Sequence, residues 1–354
     1  MNTRENILVY RLGSLGDTIV ALPCFHKIAE SFPNARRILL TNIPVSTKAA
    51  PVESILGNSG LVDSYISYPI GTRSIGALWQ LSQEIRALKI ETLIYLMPAR
   101  SRLKIGRDNL FFRSSGIRKI VGLPTTADLR NNQIDPVTAF EEPECERLAR
   151  TLCELGRIDL ESPAAWDLLL DADETRRGEE IISMSTAPLI AINMGGKALE
   201  KDWGVDRWLR LIRQLSVQHG NYDLLIVGAS EDGERANVVR KMWPNTVINA
   251  CGKLSPRESA AALRSATLFI GHDSGPLHLA AAVGVPCVGL FGGYNKPMKW
   301  HPYGKGHRVL HNMGGMSGIS VDEVFEAAST LLSSSAAGPT RICLNRLSRN
   351  DHQH

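Results

Sequence analysis

Short unbroken apolar runs recur along this chain with helix-length stretches between them, and they recur in two sets. Asn6 to Tyr10, Arg37 to Thr41 and Thr92 to Met97 form the first set, with helical patterns from about Thr18 to Phe32 and Ile75 to Leu88. Pro188 to Asn193, Asp223 to Val227, Thr246 to Asn249, Thr267 to Ile270 and Pro286 to Phe291 form the second. Helical patterns separate these at Asp206 to His219, at Glu231 to Met242, after Ser255 (with Glu258 three residues on, as in a capping box) and from about Pro276. Strands apolar on both faces belong to parallel sheets covered on each side by helices. The pattern therefore predicts an α/β fold of two tandem doubly wound units. With 354 residues and 44% hydrophobic content there is material for two cores, and global disorder is excluded. Glu161-Ser162-Pro163 interrupts the pattern, so the expected units are residues 1–165 and 166–335, followed by a polar tail at 336–354. Open parallel sheets bind ligands beyond the carboxyl ends of their strands. Two such sheets facing each other would share one cleft, each wall holding a different substrate.

Several function classes drop out early. No run of roughly 18 apolar residues occurs, so no membrane-spanning helix is expected. Gly13, Gly16 and Asp17 interrupt the first apolar stretch too soon for a signal peptide. The six cysteines form no C-x-x-C pair, and their spacing suits neither zinc nor a disulfide framework. Reduced thiols and a cytoplasmic location follow as expectations. The net charge of +4 gives no reason to expect a nucleic-acid partner.

Three motifs carry the chemistry. Arg11-Leu12-Gly13-Ser14-Leu15-Gly16-Asp17-Thr18 joins the first strand to the first helix. Its G-x-x-G spacing is neither the G-x-G-x-x-G of a dinucleotide fold nor a P-loop, and Asp17 stands where those motifs would hold phosphate. An ordinary first-turn carboxylate and a reacting group are both open readings of Asp17. The second motif, Phe269 to Ala282, is again strand, tight loop and helix, with Pro276 suited to a first helical turn. The N–H groups of Ser274 and Gly275 at that helix start favour a diphosphate, Asp273 can accept from sugar hydroxyls, and His278 follows one turn later. The third is Lys201-Asp202-Trp203, a lysine able to neutralise phosphate, following the strand and loop Asn193 to Lys197.

Together these motifs resemble the glycosyltransferase family that contains the lipopolysaccharide heptosyltransferases, glycosyltransferase family 9. The opening R-x-G-x-x-G-D and its following L-P match Arg11 to Pro23, and D-S-G-P-x-H-L-A-A-A-x-G-x-P matches Asp273 to Pro286 at every fixed position. K-x-W matches Lys201 to Trp203, and P-Y-G matches Pro302 to Gly304. The resemblance extends to about residue 335. His272 and the loop Phe291-Gly-Gly-Tyr-Asn-Lys depart from the pattern. The resemblance implies a GT-B fold of two Rossmann-like domains, 1–165 for the acceptor and 166–335 for the nucleotide sugar. It further implies inversion at the anomeric carbon without metal or cofactor. Asp17 would be the general base, with Gly13, Ser14 and Gly16 forming its loop. Lys201, Ser274 and Gly275 would hold the phosphates, Asp273 the donor sugar, Glu231 or Asp232 the ribose and Leu254 the base, with His278 also among the donor-binding residues. ADP-heptose is the family's best-known donor.

Two further features bear on this. Asp171-Ala172-Asp173 follows an apolar run as a metal-binding D-x-D would, but Glu174 and a helical stretch come next, which suits acidic residues at a helix start. Between Arg100 and Lys119 lie seven basic residues, Arg100, Arg102, Lys104 and Arg107 first among them, against one acid, Asp108. Such a stretch is either a solvated helix face or a site for an anionic acceptor. With the resemblance, the acceptor reading becomes an anionic, lipid-linked glycan, met by peripheral contact with the membrane. A non-catalytic nucleotide-sugar-binding protein is the competing expectation, and a dehydrogenase is disfavoured by the missing G-x-G-x-x-G.

Overall fold

The computed structural model describes residues 4–42, 51–68, 74–195 and 199–336. Gly196, Lys197 and the tail beyond Ala336 lie outside the described residues. Five parallel strands build the first sheet: β1 (Asn6–Tyr10), β2 (Arg36–Asn42), β3 (Ser64–Tyr68), β4 (Thr92–Tyr95) and β5 (Lys119–Val121). Six build the second: β6 (Leu189–Asn193), β7 (Asp223–Ile226), β8 (Val247–Asn249), β9 (Ala266–His272), β10 (Cys287–Gly292) and β11 (Arg308–Asn312). The orders are β3-β2-β1-β4-β5 and β11-β10-β9-β6-β7-β8.

These orders decide where a ligand goes. In each sheet the winding direction reverses once, between β1 and β4 and between β6 and β9. Connections from such a pair leave toward opposite faces, which opens a crevice at the carboxyl ends. The Asp17 loop leaves β1, the glycine loop of residues 194–195 leaves β6, and the Asp273 loop leaves β9. All three motifs therefore sit at switch points.

The apolar runs bury as their composition demands. Ile7, Leu8, Leu39 and Leu93 of the first sheet, and Ile190, Leu224, Leu268 and Val288 of the second, are fully covered. Three strands escape the sequence pattern. β3, β5 and β11 are all edge strands, half-covered, so their sequences (SYISY, KIV, RVLHN) carry no continuous apolar run.

One helix differs from expectation. The pattern from Thr18 to Phe32 is two helices, Leu15–Val20 and Leu22–Ser31, parted at Ala21. Pro23 has no N–H to donate back to Ile19, and its ring would collide with that carbonyl. The chain therefore turns at Ala21, and the first six-residue helix is left free to aim Asp17 independently of the second.

The segment expected at the join contacts both halves. The Asp167 carbonyl meets the His26 ring at 2.7 Å, and Trp166 stacks on Tyr303 with centroids 5.7 Å apart. Buried Arg257 reaches the Ile55 carbonyl at 2.9 Å and the Leu168 and Leu169 carbonyls at 2.8 Å each. Its charge is met by Glu174, at 2.5 Å and 2.8 Å. On the other flank Glu141 pairs with Lys296 and Lys299, and the Glu144 N–H donates to the Lys299 carbonyl.

Candidate active site

Asp17 lies in the first turn after the N-cap Ser14. Its Oδ2 accepts from the Ser14 N–H at 2.7 Å and the Ser14 hydroxyl at 2.8 Å, which leaves Oδ1 uncommitted among the described residues. The helix-start reading and the reacting-group reading are thus compatible, one oxygen serving each. A Cβ at Gly13 would stand 2.5 Å from the Asp17 Cβ, so only glycine lets the loop close over this carboxylate. The Gly13 N–H donates to Asn42 at the end of β2, and fully buried Arg11 binds the carbonyls of Leu96 and Asp17 from below.

Across the gap stands the loop after β9. Ser274 is an extended N-cap whose side chain does not cap the helix Gly275–Ala282; its hydroxyl turns to Asn193 Oδ1 at 3.1 Å instead. The helix start keeps uncapped N–H groups and the positive end of its dipole, which suits an anion. Lys201 Nζ is 2.7 Å from Asp273 Oδ2 and lies 4.6 Å from the centre of the exposed Tyr294 ring. Asn295 donates to the same Oδ2 at 2.6 Å, so Asp273 keeps its second oxygen for a ligand. Tyr294 and Asn295 are the residues that sequence reasoning left without a role, though they sit in the loop it marked as a departure.

What fixes Lys201 is the tryptophan two residues on. Trp203 is fully buried, its indole donates to the Ile319 carbonyl, and its N–H donates to His272 Nε2 at 3.2 Å. His272 also takes the Trp208 indole at 3.1 Å, and burial pushes its pKa down to about 4. The unexpected histidine before Asp273 is a neutral acceptor that locks the loop in place.

The two motifs meet directly. A Cβ on Gly275 would lie 2.4 Å from Leu15 Cδ2, and one on Gly16 would lie 3.0 Å from the His278 ring. Both glycines permit the close approach of the Asp17 helix to the Asp273 helix. His278 is buried, which depresses its pKa, and the carboxylates of Asp273 and Asp17 both act on it in the opposite sense. A carboxylate from one sheet and an anion cradle from the other therefore border a single point.

Other expected residues divide. Asp232 turns inward: its Oδ2 accepts from the Ala229 N–H at 2.9 Å, and Cβ atoms on Gly195 or Gly228 would overlap its carboxylate. It braces two loops, burial raises its pKa, and Glu231 beside it is the exposed member of the pair. Leu254 is half-buried against the core. The basic stretch is smaller than its composition. Arg100 pairs with Asp108 at 2.7 Å and lies over Tyr10, while Arg107 pairs with the other Asp108 oxygen at 2.8 Å. Arg102 and Lys104 are exposed on the helix Arg102–Ser114. Asp171 caps the helix Ala172–Ile182 reciprocally with Glu174, and Asp173 pairs with Arg176, so both carboxylates of the D-x-D are engaged. A cavity of 570 Å³ lies along the other side of His278, lined by Ile19, Tyr303 and His307, and it includes neither Asp17 nor Lys201.

Two facing parallel sheets with loops converging from their switch points define a GT-B fold. The chain belongs to glycosyltransferase family 9 (heptosyltransferase), which it matches over residues 110–319. It is 23% identical over 318 residues to the lipopolysaccharide core heptosyltransferase OpsX of Haemophilus influenzae, covering 84% of this chain and 82% of that protein. Its fold is similar to a family 9 glycosyltransferase from Veillonella parvula (TM-score 0.69, 22% identity, 94% of this chain and 99% of that one). It is also similar to the E. coli heptosyltransferase WaaC with ADP (TM-score 0.62, 16% identity, 92% and 99%). Among the described residues no helix is long and apolar enough to cross a membrane.

Proposed function

We propose that this chain transfers heptose from ADP-heptose to an anionic lipopolysaccharide acceptor, with inversion and without metal. The relatives named above bear on donor and acceptor. The mechanism rests on the approach of Asp17 to the Gly275 helix start through the Gly16–His278 and Leu15–Gly275 contacts. An acceptor hydroxyl beside Asp17 attacks the anomeric carbon from the face opposite the diphosphate. The new C–O bond forms as the bond to the diphosphate oxygen breaks; the proton passes to Asp17 and the electron pair leaves on ADP. Charge growing on that leaving group meets Lys201 and the N–H groups of Ser274 and Gly275, an arrangement that needs no metal ion. Asp273 holds a sugar hydroxyl through its free oxygen, Glu231 reaches the ribose, and Leu254 lies against the base. Residues 1–165 carry the acceptor wall, where the exposed cations Arg102 and Lys104 attract its acidic groups, and 166–335 carry the donor wall. Catalysis at a membrane surface from the cytoplasmic side follows from the acceptor's lipid anchor.

The test is transfer from a panel of ADP-, UDP- and GDP-sugars to heptose-free lipopolysaccharide, with the anomer of the product read by NMR. ADP-heptose should react alone, with inverted configuration and with undiminished rate in EDTA. ADP binding without any transfer would leave a binding protein, and EDTA inactivation reversed by Mn²⁺ would replace the metal-free mechanism.

A further inference from the structure

The first half carries large apolar side chains that stand exposed among the described residues. Ile75 and Trp79 are 84% and 62% exposed, and Leu103 and Leu110 are 86% and 72% exposed. They are not scattered. Ile75 and Trp79 are one turn apart on the helix Ile75–Ala87, and Leu103, Arg107 and Leu110 follow one stripe of the helix Arg102–Ser114. These two helices pack side by side on one face of the first sheet, burying Leu81, Ile85 and Phe112 beneath them. Arg86 of one ties to the Ser114 carbonyl of the other, so their carboxyl ends are held together.

Both helices follow strands of a parallel sheet and run back against them. Their first turns therefore stand at the carboxyl edge of the strands, the edge that carries the Asp17 loop. Ile75, Trp79 and Leu103 belong to those early turns, and Arg102 and Lys104 flank Leu103, exposed and without ion-pair partners among the described residues. Monomeric proteins seldom leave several large apolar side chains exposed together. Aliphatic residues and a tryptophan interleaved with unpaired cations fit one occupant in particular. In an anionic bilayer surface the apolar side chains enter the interface while the cations stay at the phosphate level.

We propose that this two-helix surface docks the enzyme on anionic lipid, with the mouth of the cleft beside the bilayer. The inference rests on the proposed lipid-linked acceptor for its purpose. Its test needs neither donor nor acceptor, so the two fail separately. The intact chain is mixed with phosphatidylglycerol vesicles or with phosphatidylcholine vesicles and sedimented, and tryptophan emission is recorded. Binding to the anionic vesicles alone is expected, with a blue shift that disappears in Trp79→Ser. Leu103→Ser/Leu110→Ser should weaken binding about tenfold. Because both leucines are exposed, thermal unfolding and ADP affinity should stay as in the wild type. Raising salt to 0.5 M should release the protein, as expected for surface charges screened over about 4–5 Å. Equal partition onto both vesicle types, or binding indifferent to the leucine substitutions, would overturn the proposal. So would a dimer in solution that the leucine substitutions dissociate, which would make this face a contact between two copies.

Discussion

Gly275→Ala tests how closely the two halves must approach. The added methyl would lie 2.4 Å from Leu15 Cδ2, 3.0 Å from Cγ and 3.2 Å from Cβ, all on one side chain of the opposite half. Ordinary carbon contacts lie near 3.5–4.0 Å, so about 1 Å of separation must be found. Leu15 is buried and packed, and forcing it aside costs about 1–3 kcal/mol. Opening the halves instead shifts Asp17 away from the Ser274–Gly275 helix start by a similar distance. A displacement of about 1 Å at reacting groups costs on the order of 10²-fold in rate. Gly275→Ala is therefore expected to lower kcat by about that factor. ADP binding, assigned to the second half in the proposed function, should change by no more than a few-fold. Leu15→Ala removes the two worst contacts, so the double variant should recover most of the lost rate, a positive coupling visible in a double-mutant cycle. Steady-state kinetics with calorimetric ADP titrations read both quantities. If Leu15→Ala leaves the Gly275→Ala defect untouched, the methyl acts on the ligand directly and the steric argument is refuted.

Two stability predictions follow. Arg257→Met should cost about 3–5 kcal/mol in urea unfolding at neutral pH, because Glu174 stays largely covered without its partner and the Ile55, Leu168 and Leu169 carbonyls lose a donor; a loss under 1 kcal/mol would show the pin to be idle. His272 is held near 4 when folded and titrates near 6.5 when unfolded, so the unfolded chain takes up the extra proton as pH falls between those values. Stability should therefore be level above about pH 7 and lower by about 2 kcal/mol at pH 5 from this group alone, and His272→Asn should flatten that slope.

The parts of the fold legible in the sequence were those where burial is complete. β1, β2, β4, β6 and β9 are covered on both faces and read as apolar runs, whereas β3, β5 and β11 lie at sheet edges and read as mixed sequence. The loops with Asp17 and Asp273 were legible because glycine is required where a Cβ would collide with a neighbouring side chain, as at Gly13, Gly16 and Gly275. Side chains turned inward by tertiary partners were not. Composition offers Arg100 and Arg107 as free cations, and only the fold sets Asp108 between them. It offers Asp232 and Glu231 as equals, and only the neighbouring glycine loops draw the aspartate in. Arg257 reaches a carbonyl 202 residues away, a contact with no local signal.

In the proposed mechanism a carboxylate on one wall takes a proton while the opposite wall holds the leaving group. Asp17→Asn tests it most directly, since an amide oxygen can still accept from the Ser14 N–H but the side chain can no longer act as a base. Turnover measured beside ADP affinity should show a loss of about 10²–10⁴-fold in kcat with ADP binding unchanged. Turnover close to wild type in Asp17→Asn would contradict the account.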